Sequence, residues 1–126
     1  MIFNSMFIQN DAIGSAMQAA VVRNDVISNN IANADVPGYK KKTVRFENYL
    51  SAELKSSGSI RASRLSQIKP TIHVEHGGYE YRLDGNNVDV EAEMVALYQN
   101  SVKYDALATG LMNNYERLNL VLNGIK

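Results

Sequence analysis

The chain has 126 residues and a mass of 14.0 kDa, enough for one domain burying about 65% of its unfolded surface, which excludes a two-domain enzyme. Thirteen Lys and Arg cancel thirteen Asp and Glu, and 45% apolar with 21% charged residues is the composition of a folding chain rather than of a charged disordered tail. With no cysteine, disulfides, thiolate nucleophiles and Cys-based zinc sites are excluded, while the redox compartment stays open.

Met1 to Ile8 is apolar, but the first basic residue is Arg23 and no small-residue cleavage site follows, so no cleaved secretory signal is expected. No apolar run approaches the roughly 20 residues that cross a bilayer, so a soluble chain is expected. From Ile13 a four-three spacing runs through Met17, Ala20, Asn24, Ile27, Ile31 and Ala34, which predicts an amphipathic helix over about residues 8 to 34. Asn24 is the polar member of that seam; it either fixes register between helices or is tolerated near an edge. Pro37 pushes Val36 out of helical dihedrals and Gly38 supplies a turn, so the helix ends there.

The middle reads differently. Residues 46 to 55 can form a helical turn or two, and the Ser-rich stretch 51 to 66 has no sustained period. Ile72, Val74 and His76 then alternate, Gly77-Gly78 can turn, and Tyr79, Tyr81 and Leu83 alternate again, which predicts a β-hairpin over about 71 to 83. The carboxyl end carries the strongest pattern: Val90, Met94, Leu97, Ser101, Tyr104, Ala108, Leu111, Tyr115, Leu118, Leu122 and Ile125 keep the four-three alternation, predicting a helix over about 89 to 125 with Asp89 as N-cap. Gly110 interrupts it at a cost of about 1 kcal/mol relative to Ala.

The expected architecture is mainly α: an elongated two-helix coiled coil from the terminal segments, with an irregular middle containing a small β-hairpin. The expected divisions are an amino-terminal helix segment 1–38, a middle segment 39–88 and a carboxyl-terminal helix segment 89–126. Helices of roughly 40 and 55 Å overhang a compact globule of this size, about 36 Å across. The seam formed by Ile13, Met17, Ala20, Asn24, Ile27 and Ile31 with Val90, Met94, Leu97, Tyr104, Leu111, Tyr115, Leu118 and Leu122 is therefore expected to pack against other subunits.

Chemistry-bearing motifs are sparse. His73-Val74-Glu75-His76 places its two imidazoles on opposite strand faces and has no further ligand at suitable spacing, so no metal site is expected. Nucleophile elbow, P-loop and dinucleotide fingerprint are missing; no catalytic residue, cofactor or small-molecule substrate is expected, and the chain does not read as an enzyme. Lys40, Lys41, Lys42 and Arg45 form a basic run. Residues 40 to 82 hold nine Lys and Arg against four Asp and Glu, a balance of +5, which leaves −5 for the rest. A nucleic-acid partner is not expected, because these cations follow a turn instead of lining a recognition helix.

Ser28 to Lys40, with Asn33, Pro37, Gly38 and Tyr39 at its centre, resembles the amino-terminal signature of the bacterial flagellar rod and hook proteins: a helix ending in an Ala-Asn-x-x-Thr-Pro-Gly-Tyr turn. Val36 stands where the pattern has Thr, which removes a hydroxyl but keeps the Pro-Gly break. A second block, Asp84-Gly85-Asn86-Asn87-Val88-Asp89 leading into Glu93-Met94 and Asn100 to Leu107, resembles the short proximal rod members. The resemblance implies a structural rod subunit exported by the flagellar type III apparatus without a cleaved signal. It also implies assembly in the periplasm, with terminal helices pairing around a channel, beside copies of itself, other rod proteins and the adaptor that joins the rod to the membrane ring and export gate. Proximity of the basic middle to peptidoglycan is left open. The competing classes are a helical-hairpin adaptor or secretion chaperone, which would form a finite complex, and a basic-loop nucleic-acid binder, whose affinity would fall with salt.

Overall fold

The computed structural model describes residues 2–57, 65, 67–76 and 82–124. In chain order the elements are α1 (Ile2–Ala32), β1 (Lys42–Arg45), α2 (Glu47–Ser57), β2 (Thr71–Val74) and α3 (Val90–Asn123). The two long helices pair with each other, and a two-stranded antiparallel sheet occupies the middle segment, as the periodicity predicts.

The pairing is antiparallel, because its cross-helix hydrogen bonds run in opposite chain directions. Asn114 Nδ2 donates to Asn10 Oδ1 at 2.9 Å, Asn100 Nδ2 to the Ala20 carbonyl at 2.8 Å, and Asn30 Nδ2 to Glu93 Oε2 at 2.9 Å. Between these rungs Ala19, Ala20, Val26 and Ile27 are buried; small alanines let the helix backbones approach closely.

α1 starts at Ile2 and not near residue 8, so at 31 and 34 residues the helices are roughly 46 and 51 Å long. Both still exceed the roughly 36 Å of a compact globule, but they are nearly equal, so α1 spans most of α3 and whatever stays uncovered is uncovered sideways.

α3 begins where the sequence places its start. Asp89 is extended, at φ −98° and ψ 107°, and its carboxylate accepts from the Ala92 amide at 3.2 Å, the N-cap bond that satisfies one of the first turn's free N–H groups. Glu91 and Glu93 add negative charge in that turn.

Residues 71 to 74 form a strand as expected, and its described partner is β1, in the register Lys42 to Val74, Thr43 to His73, Val44 to Ile72 and Arg45 to Thr71. The Gly77-Gly78 turn and Tyr79 and Tyr81 of the expected return strand lie outside the described residues, and Leu83 sits in a turn. Asn30 on α1 holds Lys42 by both its amide and its carbonyl, fixing β1 as an extended segment at the edge of the helix pair. Phe46, Leu65 and Val88 are buried, Leu65 against Asn10 and Gly14 of α1 and Leu111 of α3. His73 has its ring 3.4 Å from Thr71 Oγ1. Among the described residues no helix is long and apolar enough to cross a membrane.

Candidate functional site

The two sequence blocks that carry the resemblance are separated by residues 41–83 and fold into one junction. The chain turns directly after α1, and Asn86, fully buried, ties that turn together: its Nδ2 reaches the carbonyls of Asn33, Ala34 and Val36 at 3.0, 2.9 and 2.9 Å. Its Oδ1 accepts from the Val88 amide at 2.8 Å, which aims the chain into α3.

Gly38 and Gly85 both take positive φ, 72° and 79°, a conformation that side chains with a Cβ resist. The Gly38 amide donates to the Asp84 carbonyl at 2.9 Å, Lys40 Nζ to the Gly85 carbonyl at 2.7 Å, and the Lys41 amide to Asn87 Oδ1 at 2.6 Å. Asn87 Nδ2 continues to the Glu75 carbonyl. On the rim, Arg82 pairs with Asp35 at 3.1 Å and Asp84 at 3.3 Å. Of the turn residues expected from the resemblance, Asn33, Gly38, Asp84, Gly85 and Asn86 therefore meet in this lattice of bonds, and Asp89 caps the helix that leaves it. Pro37 is exposed at the turn's tip.

Behind the turn sits a buried charge. Glu93, 2% exposed, accepts from Asn30 and pairs with Lys41 Nζ at 2.7 Å. Asn30, fully buried, uses its whole capacity: Nδ2 donates to Glu93 and to the Lys42 carbonyl, while Oδ1 accepts from the Lys42 amide at 2.9 Å and the Tyr39 hydroxyl at 3.2 Å. Burial by itself would lower the Lys41 pKa, but the Glu93 carboxylate outweighs it and holds the ammonium above its ordinary range. Burial pushes the Tyr39 phenol up, and the Glu93 charge adds to it. A further clip joins three helices: Glu47, opening α2, binds Arg23 of α1 at 2.6 Å and Lys103 of α3. Burial would raise the Glu47 pKa, yet the hydrogen bonds from Lys103 and Arg23 prevail and hold it at about 2.

The expected seam divides. Ala20 and Ile27 are buried, and Ile13, Met17, Ile31, Leu97, Leu111 and Leu118 are half-buried. Asn24, Val90, Met94, Tyr104, Tyr115 and Leu122 are exposed, Met94 by 60% and Leu122 by 58%. Inside this molecule Asn24 is therefore no member of the helix contact. The polar residues that reach the opposing helix are Asn10, Asn30, Glu93, Asn100 and Asn114. Glu93 and Asn100 stand one position before Met94 and Ser101 of the seam, and one helical step turns a side chain by about 100°.

Periodicity thus passes over Asn30, Glu93 and Asn100, although all three fall within the sequence blocks quoted above. The Arg23–Glu47–Lys103 clip has no sequence signal, because its members come from three separate elements.

The result is a helix pair with two unlike flanks. β1 and α2 cover the side of Arg23, Val26 and Asn30. The side of Val21, Asn24, Ser101 and Asp105 borders an open groove of about 270 Å³. On α3, Tyr98 is 73% and Leu120 73% exposed, and Val102 and Met112 are exposed with them. Apolar side chains thus lie outside the helix contact as well as within it, and an exposed apolar group of this kind marks a surface for contact.

This arrangement, a paired terminal-helix core closed by an Asn-Pro-Gly turn, has relatives. The flagella basal body rod protein family matches residues 12–40, most of α1 and the turn that ends it. Similarity extends much further in individual sequences: over 132 residues the chain is 38% identical to a Bacillus subtilis protein, covering 94% of this chain and 95% of that one. The chain belongs to the flagellar basal body rod protein family.

Within it, the Bacillus subtilis relative is the flagellar basal body rod protein FlgB. FlgB of Borrelia hermsii is 32% identical over 118 residues, 80% of this chain and 85% of the relative. FlgB of Proteus mirabilis is 31% identical over 117 residues, 79% and 82%.

Proposed function

We propose that this chain is a structural subunit of the proximal flagellar rod, polymerising with copies of itself and with other rod proteins to transmit motor torque and to line the export channel. One observation carries the reading: the helix pair leaves large apolar side chains uncovered along the length of α3, Met94, Tyr98, Val102, Met112 and Leu120 among them. Exposed apolar surface on this scale is a liability in a free monomer and a resource in a polymer. Close-packed helices resist bending because side chains cannot slide past each other without opening voids, which is the mechanical property a torque-bearing rod needs.

Segments 1–38 and 89–126 form the rod core in this reading, with the seam residues of both helices as subunit contacts. Segment 39–88 turns outward toward neighbouring subunits, the adaptor between rod and membrane ring, and the peptidoglycan layer. Export proceeds through the flagellar type III apparatus without a cleaved signal, to a periplasmic position in the basal body. The junction's role is to hold the angle between the core and the outward segment, since Asn86 and Glu93 tie both to the end of α1.

The test replaces Leu111 and Leu118 together with Asp. Rod assembly and motility are expected to be lost while the protein is still exported, because unpaired charges in a packed interface cost several kcal/mol. A motile double variant would refute the packing role. Electron microscopy of basal bodies purified from a strain producing the tagged protein is expected to find it in the rod beside the export gate.

A further inference from the structure

The groove between Val21 and Asn24 on α1 and Ser101, Tyr104 and Asp105 on α3 has a chemical bias. At its edge lies Asn100, 6% exposed, whose Nδ2 is committed to the Ala20 carbonyl. Its Oδ1 is fully buried and has no hydrogen-bond partner. An orphaned buried acceptor costs about 1–3 kcal/mol until a donor reaches it.

The other polar groups around the groove lean the same way. Asp105 carries a carboxylate that forms none of the ion pairs among the described residues. The Ser101 hydroxyl already donates to the Leu97 carbonyl at 3.1 Å and has only lone pairs left to offer. Ala20, Val21 and the Tyr104 ring supply apolar wall. A site rich in acceptors, one of them anionic, with apolar sides and about 270 Å³ of room, suits a long side chain with an aliphatic stem and a donor-only cationic head, which is a lysine or an arginine.

Charge distribution identifies the source. Residues 40 to 82 carry nine cations against four anions, and the remainder of the chain carries four against nine. Arg45, Lys55 and Lys69 of the middle segment are exposed and form none of the ion pairs among the described residues. The described sheet lies on the flank opposite the groove, so a molecule cannot easily fill its own site, whereas a neighbour of the same kind can. Building on the rod-subunit reading, we propose that this groove receives a lysine or arginine from the middle segment of a second copy, hydrogen-bonded to Asn100 Oδ1 and ion-paired with Asp105. The contact joins two different surfaces, so it is head-to-tail and propagates instead of closing into a dimer.

Cross-linking in assembled basal bodies tests this. A p-benzoylphenylalanine replaces Asn24, which is exposed at the groove's rim, and purified basal bodies containing the protein are irradiated. The expected product is a dimer-sized adduct on a denaturing gel, in which mass spectrometry joins an α1 peptide to a peptide from residues 40 to 82. Asp105→Lys in the same background is expected to lower the adduct yield at least tenfold without changing the circular dichroism of the purified chain. Glu in place of the cation that the cross-linked peptide identifies should restore the yield, or restore incorporation if Asp105→Lys is not incorporated at all.

Adducts to the helices of a second copy, adducts to another protein, no adduct from basal bodies that contain the chain, or no rescue by the reversed pair would overturn the proposal and leave the rod reading standing. Absence of the chain from basal bodies would overturn both.

Discussion

The junction and the open flank solve opposite problems. At the junction, polar groups are driven inside and all but completely paired: Asn30, Asn86 and Glu93 are almost fully buried, and each has partners for what it presents. Along the flank and the far side of α3, apolar groups are left in water, and the buried acceptor of Asn100 stays unmatched. A folding unit that optimised itself alone would do the reverse. The contrast separates what holds this chain's own shape from what is reserved for contact.

The sharpest way to break the contrast is to strip the junction of its charge. Glu93→Leu leaves Lys41 and Asn30 without their shared partner; because Lys41 is partly exposed, the cost falls at the low end of that for breaking a buried pair, about 3 kcal/mol, and urea unfolding should show the midpoint fall accordingly. Asn86→Ala comes next. It takes one donor from the Asn33, Ala34 and Val36 carbonyls and leaves the Val88 amide without its acceptor, with an expected loss of about 2 kcal/mol. Hydrogen exchange should localise the loosening to the end of α1 and the start of α3 and spare the middle of the helix pair.

A pH series sharpens the comparison on the covered flank. Arg23 and Lys103 hold the Glu47 carboxyl down at about 2, from an ordinary value of 4.5, so its clip is fully in force above that ordinary value and is lost as pH falls toward 2. Thermal melts at pH 6 and pH 3 should differ more for the natural chain than for Glu47→Gln, which already lacks the charge at both. The effect should be smaller than that of Asn86→Ala, because the carboxylate is partly exposed and water screens it.

The smallest effect is expected on the open side. Met112→Gln or Leu120→Gln should change the melting of the isolated chain by no more than about 0.5 kcal/mol, the usual range for exposed positions, while incorporation into basal bodies drops. A large destabilisation of the isolated chain would mean that this face is covered within the molecule.

Local chemistry made much of this readable in advance. Pro37 and Gly38 announce the end of α1, and Asp89 followed by Glu91 and Glu93 announces the start of α3, because caps and breakers act within a few residues. The pairing of β2 was beyond local reading. Gly77-Gly78 suggests a partner just ahead, yet β1 lies about 30 residues behind, and only the grip of Asn30 on Lys42 explains why that strand is in place.

The seam was legible in period but not in direction. Leu97, Leu111 and Leu118 fit both a helix that faces α1 and one that faces outward, and a heptad count cannot distinguish positions 93 and 100 from 94 and 101.

Sequence alone thus determined that two long apolar-striped helices flank a basic middle, where the first ends and where the second begins, since periodicity and capping are properties of neighbouring residues. The tertiary structure decided which side of each stripe is used internally and that Asn30, Glu93 and Asn86 bind the two blocks together. The physical reason is rotation: one residue turns a helix by about 100°, so a shift of a single position exchanges a buried face for an open one without altering the pattern that announced the helix.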